Sequence, residues 1–225
     1  MISRIALLLL CMCLVTAIAQ AAENNEEIYE RAVEAVDFDF EQDWAYTETW
    51  VTSEHVWVGR YDPRRTPGER WQLQSVDDRK PSDDEFEEFY SDKEHDHSDR
   101  GGNRVNAMVE PGSVRLIDEN DDFWLFGFDP GEHEIMDSVD ATIRVSKSDG
   151  HLEYIDIRNH STIKPGFGVK ISRLITRLTF GPAVDEGPIV PLTTQVEVQG
   201  RAFLIVSFDE EELFQNSDFE FVGNE

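Results

Sequence analysis

The chain has 225 residues, with 47 acidic against 20 basic side chains, a formal net charge of −27 and 2 cysteines. So acidic a surface repels phosphate backbones and anionic lipid heads, which argues against nucleic acid as a partner. Cys11 and Cys13 both lie in the N-terminal apolar run, so the chain beyond it offers no disulfide and no thiol nucleophile.

Met1–Arg4 reads as a basic n-region and Ile5–Ile18 as an apolar h-region, followed by the small-x-small sites Ala17-Ile18-Ala19 and Ala19-Gln20-Ala21. The run is shorter than the roughly 20 residues a membrane span needs. Residues 1–21 therefore predict a cleaved secretory signal, and the remainder an exported protein that is periplasmic in a Gram-negative cell. Residues 22–42 predict a helix and a link, because Ile28, Tyr29, Ala32, Val33 and Val36 recur at three and four residues among acids. Residues 43–225 predict one β domain.

In that domain Trp44–Thr52, His55–Tyr61 and Arg70–Val76 read as strands, with Asp62–Gly68 as a loop. Ser82 with Glu85 forms a capping box that opens a helix carrying Phe86, Phe89 and Tyr90. Ser91–Met108 is polar and glycine-bearing and predicts a mobile loop. The strands Ser113–Ile117 and Phe123–Phe128 follow, and then Ala141–Lys147 and Leu152–Asn159, joined through Asp149-Gly150. After Lys164–Gly168 come Val169–Phe180, Ile189–Val198, a turn at Gln199-Gly200 and Arg201–Phe208. Asp209–Glu212 predicts an acidic turn, and Phe219–Val222 an edge strand. The fold class expected is mainly β with a few helices (α+β): a curved antiparallel sheet, apolar on both faces of Val169–Phe180.

Few residues point to chemistry. His95-Asp96-His97 resembles a metal pair only if it lies on a strand, where residues two apart share a face; a solvated loop is the preferred reading. No Gly-x-Ser-x-Gly elbow occurs, Gly166-Phe167-Gly168 lacks the rest of either nucleotide fingerprint, and adjacent acids such as Glu87/Glu88 carry no weight among 47. The prediction is a protein without catalytic residues, metal or cofactor. What remains is a large aromatic and aliphatic surface. A filled core accounts for it, and so does a cavity for an acyl chain lined by Trp57, Trp71, Trp124, Leu174, Leu178 and Phe180.

Trp57–Pro63, Arg70–Leu73 and Asp77–Ser82 resemble a block recurring in exported proteobacterial proteins. The hairpin over Ile143–Ile157, the turn Lys164-Pro165-Gly166-Phe167-Gly168-Val169-Lys170 and the long strands after it are similar to the LolA/LolB-like group of periplasmic lipoprotein carriers. That resemblance covers residues 43–222. It implies an incomplete β-barrel covered by helices, around an apolar cavity that holds a lipid or the acyl chains of an acylated protein. No cysteine is placed for lipid attachment, so an anchored acceptor of the LolB kind is not expected, and no gating arginine matches by motif. The alternative expectation is a non-enzymatic envelope interaction protein that meets a cationic partner through its acidic surface. The uneven charge motivates it: residues 1–140 hold 34 acids to 12 basic groups, residues 141–208 hold 6 to 8, and residues 209–225 hold 7 to none.

Overall fold

The computed structural model describes residues 25–99, 109–110, 112–130, 136–166, 168–203 and 206–223, and the side chains within them other than those of 92, 94–99 and 136. The expected signal segment lies outside these residues. The chain is mostly β. Eleven strands form one sheet: β1 (Trp44–Val51), β2 (Val56–Tyr61), β3 (Trp71–Val76), β4 (Arg115–Glu119), β5 (Phe123–Phe128), β6 (Val139–Ser146), β7 (Leu152–Asn159), β8 (Ile163–Gly166), β9 (Val169–Pro182), β10 (Ile189–Ala202) and β11 (Val206–Phe221). Their order is β3-β2-β1-β11-β10-β9-β7-β6-β5-β4, with β8 paired beside β9, and every pairing is antiparallel. The sheet is not closed: β3 and β4 are its two edges.

Two expectations change at the C-terminal end. β10 runs through Gln199-Gly200 to Ala202, and β11 runs through Asp209–Glu212 to Phe221 and pairs with β1, so the last strand is central rather than an edge. Gly200 serves a close approach, not a turn. A Cβ there would run into the ring of Phe208 and the carbonyl oxygen of Lys170. The acids of β11 can occupy a strand because Glu210, Glu211 and Asp209 remain exposed there.

A bulge alters β9 as well. Gln199 pairs with Arg173 while Gly200 pairs with Ile171, which skips Ser172 and reverses the alternation. Ile171 therefore joins Leu174 and Leu178 against one core cluster instead of facing away with Arg173.

The core has two clusters. The first joins α1 (residues 25–34) to the sheet: Ile28, Tyr29, Ala32 and Val33 pack with Phe126, Ile143, Ile155 and Phe180. The second is aromatic, with Tyr46, Trp57, Tyr61 and Trp71 on β1–β3 and Phe89 from α2 (Asp83–Asp99). The capping box opens α2 as expected: Ser82 N donates to Glu85 Oε2 at 2.7 Å, and Glu85 N donates to Ser82 Oγ at 3.4 Å. The Arg79 guanidinium and the Ser82 N–H hold the Glu85 carboxyl down at about 2. Gly59 admits α2 onto the sheet, since a Cβ there would lie 2.8 Å from Phe89 Cζ.

The helix does not stop at Tyr90. It continues to Asp99, into the first part of the expected loop, whose residues 100–108 lie outside the described residues, because Lys93 completes the stripe Phe86, Phe89, Tyr90 at helical spacing and is itself buried. Residues 95 and 97 are thus helical, where positions two apart do not share a face, and their side chains lie outside the described residues.

The reverse face of the sheet is mainly polar. Arg144, Tyr154, Thr179, Thr193, Gln215 and Thr49 stand in register across six strands. Its best-buried charge is Asp156, 5 % exposed, which accepts Arg158 Nε at 2.5 Å and Arg177 Nε at 2.7 Å. Burial pushes the Asp156 carboxyl up, but the two guanidinium groups more than reverse this and hold it below the ordinary aspartate value. A depressed carboxylate stabilises fully above its unfolded pKa of about 3.9 and loses that contribution as pH falls through the lower folded value. Asp156→Asn is expected to lower stability at neutral pH by about 1–3 kcal/mol. Urea titrations at successive pH values should show the gap to the unsubstituted protein closing below about pH 4.

Candidate ligand-binding site

Strand register assembles the site. One row of residues runs unbroken across ten strands on the apolar face. It begins Val76, Trp57, Trp50 and Phe214 on β3, β2, β1 and β11. It continues through Thr194, Leu178 and Ile155 on β10, β9 and β7, and ends at Ile143, Phe126 and Leu116 on β6, β5 and β4. Thr194 is its single polar member.

Burial along this row is uneven in an informative way. Val76 and Trp57 are sealed at one side (0 % and 3 % exposed), and Ile155, Ile143 and Phe126 at the other (2 %, 0 % and 0 %). Between them Trp50, Phe214, Thr194 and Leu178 are each half-buried. The two core clusters therefore leave an incompletely covered apolar strip over β1, β11, β10 and β9. Trp50 sets its surface: its ring stacks on Trp57 (5.9 Å, 26° between planes) and on Phe214 (5.5 Å, 10°).

The next positions along the same face extend the strip. Val196 and Thr176 pair beside Thr194 and Leu178, and Val198 pairs with Leu174. On β11 the corresponding positions are Glu212 and Glu210, opposite Val196 and Val198. The strip is thus mainly apolar along β9 and β10, broken by Thr176 and Thr194, with carboxylates on its β11 flank.

At the other end Glu48, two residues before Trp50 on β1, receives the ammonium of Lys93 from α2. Both side chains are about nine-tenths buried, and Lys93 Nζ also lies 4.3 Å from the Trp71 ring centroid. The pair fixes α2 beside the strip.

The six residues singled out from sequence divide among three environments. Trp57 and Trp71 (3 % and 4 % exposed) are interior to the aromatic cluster, and Phe180 (6 %) is interior to the other. Leu174 and Leu178 lie on the strip, and Trp124 is half-buried on β5 beneath Lys147 Nζ, 5.0 Å from its ring centroid. Trp50 and Phe214 were not among the six. Phe214 could have been found only by reading β11 as one strand, since the pairing with Trp50 brings the two rings together.

Among the described residues no group of three or more His, Cys, Asp or Glu is placed to hold a metal ion, and no helix is long and apolar enough to cross a membrane. Fold and site define a large open antiparallel sheet with one apolar and one mainly polar face. No family model, curated protein or solved structure matches the chain.

Proposed function

We propose that the chain is a non-catalytic, exported carrier that holds a lipid-like acyl ligand on the strip over β1, β11, β10 and β9. The observation that supports this reading is the in-register row in which buried residues, Val76 and Trp57 on one side and Ile155, Ile143 and Phe126 on the other, flank a half-buried centre. In this reading residues 1–21 direct export to the periplasm. The open sheet then serves as an incomplete barrel of the LolA kind, with α1 and α2 over its apolar face.

The energetics suit hydrocarbon. Each methylene removed from water contributes roughly 0.8 kcal/mol, so a chain of about eight laid along the strip gains roughly 6 kcal/mol before ordering costs. Leu174 and Leu178 floor the site, and Trp50 and Phe214 form its flat wall. Release would follow from displacement of α2, which Phe89 and Lys93 attach to the sheet.

Leu178→Glu places a charge in the middle of the strip. It is expected to lower retention of a fluorescent fatty-acyl probe by at least about tenfold while leaving the fold intact, because the residue is half-buried. Unchanged retention in that variant counts against the proposal.

A second reading rests on the exposed acids Asp209 and Glu211, which share the face of β11 opposite the strip. They form a surface for a cationic envelope partner. Capture of such a partner would be lost at high salt, whereas acyl retention would not.

A further inference from the structure

The loop between β2 and β3 holds Arg64, Arg65 and Arg70, within the acid-rich first 140 residues. Arg64 is paired: its Nε and Nη2 each donate to Asp62 at 2.8 Å. Glu220 is taken by Arg60 at 3.2 Å and by Arg64 at 3.5 Å. These contacts occupy Asp62 and Glu220, and among the described residues Arg65 and Arg70 have no carboxylate within ion-pair distance. Among the described residues the Arg70 side chain makes only a long contact, Nη1 to Tyr61 Oη at 3.5 Å.

Both unpaired arginines line a pocket of about 610 Å³ between this loop and α2. Its other charged residues are Lys93, neutralised by Glu48, and Glu69, whose Oε2 accepts Thr66 Oγ1 at 2.6 Å. Tyr90 supplies flat aromatic surface, beside Trp71, which is 4 % exposed and has Lys93 Nζ over its ring. Two buried donors in this wall, Arg70 Nε and Trp71 Nε1, have no acceptor among the described residues. The volume lies within the roughly 300–1,000 Å³ typical of small-molecule sites.

From this geometry we infer a second binding site, separate from the acyl strip, for a flat organic monoanion such as an aromatic carboxylate. The planar guanidinium groups of Arg65 and Arg70 match a carboxylate, and the Tyr90 ring matches a flat body. Glu69 leaves a single net positive charge on the lining, which suits one negative charge and disfavours a phosphate dianion. An aliphatic acid satisfies the arginines but wastes the ring.

Calorimetric titration of the full chain with naphthoate is expected to show one site. The uncharged naphthylmethanol, which has the same ring, should bind roughly tenfold more weakly at low salt. Arg70→Gln, and separately the exposed Arg65→Gln, should bring naphthoate down toward the alcohol, while Glu69→Gln should tighten it. Added salt should weaken the acid and leave the alcohol unchanged. Leu178→Glu, which disables the acyl strip, should leave naphthoate binding intact and so separates the two sites. Equal affinity for acid and alcohol would overturn the assignment. So would naphthoate binding that survives Arg65→Gln/Arg70→Gln in a protein with unchanged thermal stability, or that disappears with Leu178→Glu.

Discussion

Glu48→Ala should cost the fold about 3–5 kcal/mol, because it leaves the Lys93 ammonium buried without its counter-charge. Both partners are about nine-tenths buried, and the bond joins β1 to α2. Lys93→Ala should cost a comparable amount by stranding the carboxylate. A domain of this size is stable by only about 5–15 kcal/mol, so either change removes a large part of the total. The double variant Glu48→Leu/Lys93→Met removes both charges at similar volume and should recover most of the loss. Urea unfolding of the four proteins measures this directly. Single variants that cost under about 1 kcal/mol would mean that water reaches the pair and α2 is not held by it.

Phe126→Ala should be equally damaging, for a different reason. The ring is fully buried in the cluster that joins α1 to β5, β6 and β7, and its removal leaves a cavity worth about 3–5 kcal/mol. Phe214→Ala lies in the same row but at its half-buried centre, and should cost roughly 1–2 kcal/mol. The contrast separates structure from function along one line of residues: the buried position maintains the fold, and the central one presents surface to a ligand. Thermal unfolding together with acyl-probe binding distinguishes them. Phe126→Ala shifts the transition, while Phe214→Ala mainly shifts the affinity. Equal destabilisation by both would mean that the centre of the row is ordinary core.

Much of the architecture was legible from residue pattern. The spacing of Ile28, Tyr29, Ala32 and Val33 marked α1, and Ser82 with Glu85 marked the start of α2. Alternation located most strands between Trp44 and Pro182. Three features escaped for physical reasons. Lys93 reads as solvated, because nothing local announces that its charge meets Glu48 across 45 positions. Gly200 reads as a turn, because the crowding that excludes a side chain comes from Phe208 and Lys170 on neighbouring strands. The acids of β11 read as a break, because their exposure in a strand depends on partners supplied by β10.

The candidate site was less legible for the same reason. Leu174 and Leu178 followed from alternation within one strand, but the strip is defined by register among four. Trp50 meets Phe214 only because β1 pairs with a strand far along the chain.

Trp50 also makes the central claim measurable. The chain has 5 tryptophans. Trp44, Trp57 and Trp71 are buried, Trp50 lies half-buried on the strip, and Trp124 is half-buried on β5. Titration with a fatty acid brominated along its chain should quench a saturable fraction of the fluorescence, and that fraction should vanish in Trp50→Phe while persisting in Trp124→Phe. Quenching that is absent, unsaturable or indifferent to Trp50 would contradict an acyl site on these four strands.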